Sequence, residues 1–223
     1  MNRLIKKSLL VATFLCSLTM VNAQSANKNS RADSESGEKC FDGGTSIVNL
    51  GVGLGGGNYY SAYSGYGYSY HSSPAFSLSY EHGIPKKVGP GYLGLGVYLG
   101  YQSAYTTYNY YWDKHGYNNN YYYRNSWSNF MVAARLAYHA DALNFNKGEV
   151  YFGGLAGLRF QTYHYETNNP DPYADNYSVT SGNVFPTFSI FVGGRYYLTK
   201  NIGLFAEVGY GISYLTGGLS FKF

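Results

Sequence analysis

The sequence predicts an all-β protein, an eight-stranded antiparallel up-and-down transmembrane β-barrel. Three observations lead to this class. Apolar residues alternate with small or polar ones along most of the chain, glycine and tyrosine are abundant at 29 and 28 residues, and no segment after residue 23 has the roughly 18 consecutive apolar residues of a membrane helix. Successive side chains of a strand point to opposite faces, so the alternation indicates strands with one apolar face.

Residues 1–23 are predicted to be a secretory signal peptide. Arg3, Lys6 and Lys7 precede the apolar run LLVATFLCSLTM, and a small-residue cleavage site ends at Ala23. This segment contains three of the 16 basic residues and none of the 12 acidic ones, so the rest of the chain has 13 basic against 12 acidic residues. Such a balance indicates no nucleic-acid partner.

Residues 24–44 are predicted to be a disordered leader on the periplasmic side. The segment is rich in Ser, Asn, Lys and Glu and shows no apolar periodicity. Cys40 is the only cysteine after the signal peptide, and we interpret it as a free thiol in this tail.

Residues 45–223 are predicted to be the barrel domain, with eight alternating segments. In GYLGLGVYLGYQ, for example, Leu93, Leu95 and Val97 share one face, and Gly94 and Gly96 share the other. The apolar faces of the eight predicted strands run over Val48–Leu54, Phe76–Tyr80, Leu93–Tyr101, Phe130–Tyr138, Phe152–Phe160, Phe188–Leu198, Ile202–Val208 and Leu215–Phe223.

A soluble β-sandwich would also alternate, but the connections favour a barrel in the outer membrane. Charged residues are nearly absent from the apolar faces, and the connections alternate between long and short, as in outer-membrane barrels. Long connections are expected near 58–73, 105–127 and 163–183, and short turns near 84–90, 141–148 and 199–201. Tyr80, Tyr138 and Tyr196 are placed outward near the short turns, as in an interfacial aromatic girdle.

The closing stretch GLSFKF and the string PTFSIFVGGRYYLT give the chain a family resemblance. From about Thr45 to Phe223 it resembles the small outer-membrane β-barrel domain proteins of Gram-negative bacteria, of the OmpX and OmpA type. The resemblance implies outer-membrane lipid and the barrel assembly machinery as partners. It also implies that Leu219, Phe221 and Phe223 form the assembly signal of the last strand.

Six charged residues lie at positions on the small or polar face of the predicted strands, and we predict that they form an ion-pair network in the lumen. They are Glu81, Arg135, Arg159, Arg195, Glu207 and Lys222. Eight strands leave room for side chains only, so opposite charges must pair there. Arg195 and Glu207 are expected to pair across the turn near Lys200. The alternative for these charges is a gated proton or ion path.

The sequence predicts no enzyme, cofactor or metal site. A barrel-embedded lipid-modifying or proteolytic enzyme is the alternative, with His164 and Glu166 at i, i+2 on one strand face and residues 71–73 (His-Ser-Ser) on another loop. Calcium could use Glu166, Asp171 and Asp175, but their spacing fits no known ligand loop. We interpret these histidines as solvated rim residues.

The predicted outer loops are rich in tyrosine, and they point to a role at the cell surface. Residues 58–73 contain six tyrosines, and TTYNYYWDKHGYNNNYYYRNSW follows in the second loop. Tyrosine has a rigid apolar face with a polar tip, which suits binding surfaces. The predicted contact residues are Tyr59, Tyr60, Tyr66, Tyr68, Tyr70, Tyr121, Tyr122 and Tyr123. Recognition of a host or glycan ligand is the prediction, and a purely structural envelope role is the alternative.

Overall fold

The computed structural model describes residues 39–56, 68–114, 117–169 and 178–223. They belong to one compact unit, Gly37–Phe223. In this part of the chain no helix has the length and apolar character needed to cross a bilayer. The strands within these ranges are β1 (Ser46–Leu54), β2 (Tyr68–Ser72), β3 (Ala75–Gly83), β4 (Gly91–Lys114), β5 (Tyr117–Phe145), β6 (Gly148–Thr167), β7 (Ser178–Tyr197), β8 (Ile202–Gly209) and β9 (Leu215–Lys222).

The strands close into an antiparallel ring. Their order is β2-β4-β3-β1-β9-β8-β7-β6-β5, and β4 also pairs with β5. Both β2 and β3 pair with β4, with Ser72 opposite Ala104 and Phe76 opposite Tyr101. β2 and β3 therefore occupy a single strand position in the ring. The strand at this position is interrupted near Pro74, which has no N–H to donate to the ladder. The nine strand segments therefore fill eight strand positions, which confirms the predicted eight-stranded barrel.

The wall has its apolar side outward and its polar side inward. On β1, Leu50 and Val52 are 48% and 49% exposed, whereas Asn49 is 2% exposed. Exposed apolar residues on the other strands include Phe76, Leu95, Phe130, Phe152, Ile190 and Leu204. An apolar exterior around a polar interior is the reverse of a soluble protein and is the arrangement of a transmembrane barrel.

The wall is taller on one side than on the other. β4, β5, β6 and β7 have 24, 29, 20 and 20 residues, whereas β1, β8 and β9 have 9, 8 and 8. About 9–11 residues suffice for a strand to cross a membrane. We call the excess the projecting wall: β2 together with the parts of β4–β7 beyond the paired residues Ser103, Ser128, Thr162 and Gly182.

The projecting wall corrects the prediction of long loops. Within the described residues, 105–114, 117–127, 163–167 and 178–183 are strand, although 105–127 and 163–183 were predicted to be connections. The stretches are rich in Tyr, Thr and Trp, which favour strands, and they find hydrogen-bonding partners in one another.

The other end of the barrel, which we call the short-turn end, contains the compact connections. Residues 84–90, 146–147 and 198–201 join β3 to β4, β5 to β6 and β7 to β8. Near this end the β5–β6 register shifts between His139 and Asn144, where residues 140–143 of β5 lie opposite the single residue Val150 of β6. We call this irregularity of the ladder the bulge in β5.

Residues 39–44 are packed against the barrel, so the prediction of a disordered leader over 24–44 is wrong for them. Cys40 is 2% exposed and Phe41 is fully buried at the short-turn end, so Cys40 does not lie in a flexible tail. The ring of Phe41 packs there on the imidazole of His139, a site that no local periodicity reveals. Residues 24–38 and the signal peptide lie outside the described residues.

Candidate functional site

A group of charged side chains fills the lumen near the short-turn end. Glu81 on β3 and Arg135 on β5 are buried, and Oε2 of the first lies 3.0 Å from Nε of the second. Both are paired in register with Gly96 on the intervening strand β4. Because Gly96 has no side chain, the two charged groups can meet across it. A Cβ atom there would also lie 1.8 Å from the carbonyl oxygen of Tyr80.

Arg135 has a second carboxylate partner, Glu207 on β8. Nη2 lies 2.5 Å from Oε1, and Nη1 lies 3.3 Å from Oε2. The hydroxyl of Tyr151 donates a hydrogen bond of 2.8 Å to the same Oε1. The guanidinium carbon of Arg135 lies 4.1 Å from the ring centre of Phe191. Such surrounding contacts help to offset the cost of removing these charges from water.

His139 lies between two carboxylates. Its Nε2 is 2.5 Å from Oε1 of Glu81, and its Nδ1 is 2.7 Å from Oε2 of Glu149. A neutral imidazole has one N–H and one lone pair, so only the imidazolium donates to both carboxylates. Glu149 is paired in register with Arg195 on β7 and accepts a hydrogen bond from its Nη1.

These side chains balance one another in charge. Three carboxylates oppose two guanidinium groups and the imidazolium, so the group is neutral as a whole. We call it the charge cluster: Glu81, Arg135, His139, Glu149, Arg195 and Glu207. A neutral, hydrogen-bonded cluster is a chemically reasonable way to fill a narrow lumen with charge.

The structure brings together four of the six residues that the sequence places in the lumen network: Glu81, Arg135, Arg195 and Glu207. The other two lie elsewhere. The guanidinium of Arg159 is 5.3 Å from the ring centre of Phe185, and Nζ of Lys222 is 5.1 Å from that of Tyr197.

The expected pair of Arg195 with Glu207 is wrong, although both side chains face inward. Arg195 is paired in register with Phe205, and its carboxylate partner is Glu149 on the other neighbouring strand. Sequence reasoning missed His139 and Glu149 as members of the cluster. Parity along the strand could have found both, because His139 alternates in phase with Arg135, and Glu149 with Arg159.

The lumen between the described residues is largely filled. Two of its cavities have volumes of about 10 and 30 Å³, and residues lining the second one include Ser189, Glu207, Ser213 and Thr216. One water needs roughly 10–15 Å³, so the cavities have room for a few waters. A filled interior is expected of an eight-stranded barrel.

The outer face of the projecting wall is an aromatic surface around one arginine. The guanidinium carbon of Arg124 lies 5.3 Å from the ring centre of Tyr105 and 5.7 Å from that of Tyr122. On β2, the imidazole of His71 stacks on the ring of Tyr105, with ring centres 5.0 Å apart. Nη1 of Arg124 is 3.1 Å from Oε1 of Glu166. This outer surface therefore extends over β2, β4, β5 and β6.

The inner face of the projecting wall has its own aromatic row. Tyr68 stacks on Tyr108, and Tyr108 on Tyr123, with ring centres 4.5 and 6.3 Å apart. Trp127 and Tyr163 are in contact on the next pair of strands, with ring centres 5.7 Å apart. These cross-strand contacts stiffen the wall beyond what ladder hydrogen bonds alone provide.

The predicted contact tyrosines are distributed over both faces of the wall. Tyr68 and Tyr123 belong to the inner row, and Tyr122 lies beside Arg124 on the outer face. Tyr70 is exposed on β2, and Tyr121 is half-buried on β5. Tyr59, Tyr60 and Tyr66 lie outside the described residues.

The residues of the enzyme alternative are not assembled into a catalytic group. His164 Nε2 is 3.6 Å from Oε2 of Glu166, and Nδ1 is 3.0 Å from the hydroxyl oxygen of Thr180. The register places His71 three strands away from His164, roughly 14 Å at 4.8 Å per strand. Ser72 is the last residue of β2, and Ser73 follows it outside the strand. Among the described residues no group of three or more His, Cys, Asp or Glu could hold a metal ion.

Two of the predicted assembly residues, Leu219 and Phe221, lie on β9, and Phe223 follows the strand directly. Leu219 and Phe223 are 43% and 75% exposed, and Phe221 is half-buried. The backbone of Phe223 exchanges two hydrogen bonds with Ser46, of 2.9 and 3.3 Å, which closes the ring against β1.

No protein-family model and no curated protein matches the chain. Among solved structures, the chain is similar to the N-terminal β-barrel domain of Pseudomonas aeruginosa OprF, at 13% identity and a TM-score of 0.40, over 82% of this chain and 100% of that one. It is also similar to Ail, the attachment invasion locus protein of Yersinia pestis, solved with the heparin analogue sucrose octasulfate. The identity is 12% and the TM-score 0.38, over 82% of this chain and 100% of that one.

Proposed function

We propose that this protein is a non-enzymatic outer-membrane barrel that recognises ligands at the cell surface through its projecting wall. The short-turn end faces the periplasm in this proposal, and the projecting wall faces the outside. Outer-membrane lipid covers the apolar exterior, and the barrel assembly machinery reads the strand that ends in Leu219, Phe221 and Phe223.

The observation that carries the proposal is the length and composition of the wall. Five strands continue past the height that a membrane requires, and their excess length carries aromatic side chains on both faces. A girdle at one depth would need a single band of aromatic residues. The remaining aromatic surface is available for a host or glycan ligand.

The outer face has the composition of a binding surface. On this face Tyr105 is 39% exposed, and Arg124 lies among aromatic rings with 44% of its side chain exposed. Tyr70, on the inner face of the same wall, is 42% exposed. Tyrosine and arginine are enriched where proteins bind partners, because they combine large contact area with hydrogen bonding.

The test replaces Tyr70, Tyr105 and Tyr122 together by Ser and measures binding of whole cells to host cells and to glycan arrays. The expected result is weakened binding with normal amounts of folded barrel, judged by heat-modifiable gel mobility. Tyr196→Ser is the matched control, because Tyr196 is 52% exposed near the opposite end. Equal binding by the triple variant and the parent would favour the purely structural envelope role.

A further inference from the structure

Residues 39–42 enter the mouth of the barrel at the short-turn end. Phe41 is fully buried there, and its ring stacks on the imidazole of His139 with ring centres 3.6 Å apart and planes within 12°. His139 belongs to the charge cluster, so the segment covers the cluster from this end. The phenyl ring packs flat against the cationic imidazolium, a favourable arrangement for an aromatic face.

The bulge in β5 supplies a side chain that holds the segment. Asn144 follows the register shift and uses both ends of its amide: Oδ1 accepts from the backbone N–H of Cys40 at 2.9 Å, and Nδ2 donates to the carbonyl of Phe41 at 2.7 Å. The thiol of Cys40 donates to the carbonyl of Phe145 at 3.0 Å. The segment is therefore fixed through its backbone by one dedicated side chain.

Two glycines make the close approach possible. A Cβ atom at Gly83 would lie 2.2 Å from the carbonyl oxygen of Asp42 and 3.2 Å from the ring of Phe41. Gly44, where the chain turns into β1, has a φ of 102°, which side chains other than glycine rarely adopt. Its N–H donates to the carbonyl of Gly83 at 2.9 Å.

The segment is attached differently from the wall. The contacts of Cys40 and Phe41 include a hydrogen bond from the Cys40 thiol, two hydrogen bonds to the amide side chain of Asn144 and a ring stack, and neither residue belongs to a strand. Lys39 adds an ion pair of 2.9 Å to Asp141. These contacts can break without opening the ladder of the barrel, so the segment can leave as a unit.

We propose that Lys39–Asp42 is a plug that docks in the short-turn mouth and seals the charge cluster from water on that side. With the plug in place, His139 and its carboxylates lie behind a phenyl ring in a poorly hydrated space. With the plug displaced, water reaches His139 while the barrel stays folded. This plug is independent of the surface recognition proposed above.

Cys40 reports the state of the plug, because its thiol is buried only when the segment is docked. The experiment measures the rate of maleimide labelling of Cys40 in the membrane-assembled protein, extracted into micelles, in a Cys16→Ser background. Asn144→Ala removes two hydrogen bonds of the plug, and we expect labelling about tenfold faster or more, from the usual strength of such bonds. Lys86→Ala, on an exposed turn of the same end, is the control and should leave the rate unchanged.

Gly83→Val is the second variant, because its side chain would occupy the space of the plug. Heat-modifiable mobility establishes that each variant is folded, and Asn144→Ala decides the matter if Gly83→Val does not fold. Labelling of the parent at the rate of an unfolded chain would overturn the plug. Unchanged slow labelling in a folded Asn144→Ala variant would overturn the docking site.

Sealing is measured separately from docking. The ring N–H protons of His139 should exchange slowly with water in the parent and faster in Asn144→Ala, as observed by NMR. Fast exchange in the parent, with Cys40 still protected, would overturn the seal.

Discussion

Arg135 and Glu207 make a two-point contact inside the barrel, with Nη2 2.5 Å from Oε1 and Nη1 3.3 Å from Oε2. Arg135 lies on β5 and Glu207 on β8, which are not neighbours in the ring. The contact therefore crosses the lumen and joins separate parts of the wall. Loss of this contact should therefore lower the stability of the whole barrel.

Replacing Glu207 by Ala should destabilise the barrel by about 3–5 kcal/mol, because Arg135 keeps only one carboxylate partner in a buried site. The side chain of Glu207 is 12% exposed, so the lower part of this range is expected. The measurement is the free energy of unfolding from denaturant titration in micelles. The control is Glu166→Ala, which breaks the exposed Arg124 pair and should cost less than about 1 kcal/mol. Equal costs for the two variants would contradict a buried, tightly paired cluster.

His139 and Glu149 should be strongly coupled in stability. His139→Gln removes the cation between two carboxylates, and Glu149→Gln removes one of those carboxylates, so each single change leaves the cluster with a net charge. The double variant has no net charge. We expect it to be more stable than the sum of the single effects predicts, by about 1–3 kcal/mol in a double-mutant cycle. Additive effects would show that His139 is not the cation that balances the cluster.

The inward faces could be predicted from the sequence because parity is a local property of a strand. Each charged residue at an inward position is recognisable from its neighbours two positions away. The partner of each charge is not local. Arg195 contacts Glu149, on a strand joined to its own by the long connection rather than by the short turn near Lys200.

The plug could not be predicted for a related reason. Phe41 stands alone in a polar segment, so no periodicity indicates where it packs. Its site is made by Gly83, His139 and Asn144, which come from β3 and from two sides of a bulge in β5. A bulge leaves no alternation to follow, and the site exists only once the ring has closed.

The carboxyl group of Asp141, at the short-turn end, should titrate below its ordinary value. The hydrogen bond from Lys87 lowers the pKa of Asp141, and a hydrogen bond from Lys39 lowers it further. A carboxyl whose pKa is lower in the folded protein contributes stability above its unfolded pKa and loses that contribution as the pH falls through the folded pKa. The ion pair between Asp141 and Lys39 should therefore weaken as the pH falls.

Carbon-detected NMR of the Asp141 carboxyl measures this pKa directly. Lys87→Ala should raise it, and Lys39→Ala should raise it by a smaller amount. Lys200→Ala, on a different turn of the same end, is the control. A pKa that is the same in all four proteins would show that the two ion pairs of Asp141 do not form in solution.

Removing Phe223 should lower the yield of folded barrel in the membrane. The deletion removes two backbone hydrogen bonds to Ser46 at the seam where the ring closes, together with an aromatic side chain that is 75% exposed on the outside. Closure of β9 on β1 is the step that leaves no open edge in the sheet. The yield is measured as the heat-modifiable fraction of the protein in membrane preparations. Phe145→Ala is the control, because Phe145 is also an exposed phenylalanine near the short-turn end, at 57%, but lies away from the β1–β9 seam. Loss of an exposed ring alone would lower both yields equally, whereas a role of Phe223 in closing or assembling the barrel lowers only its own.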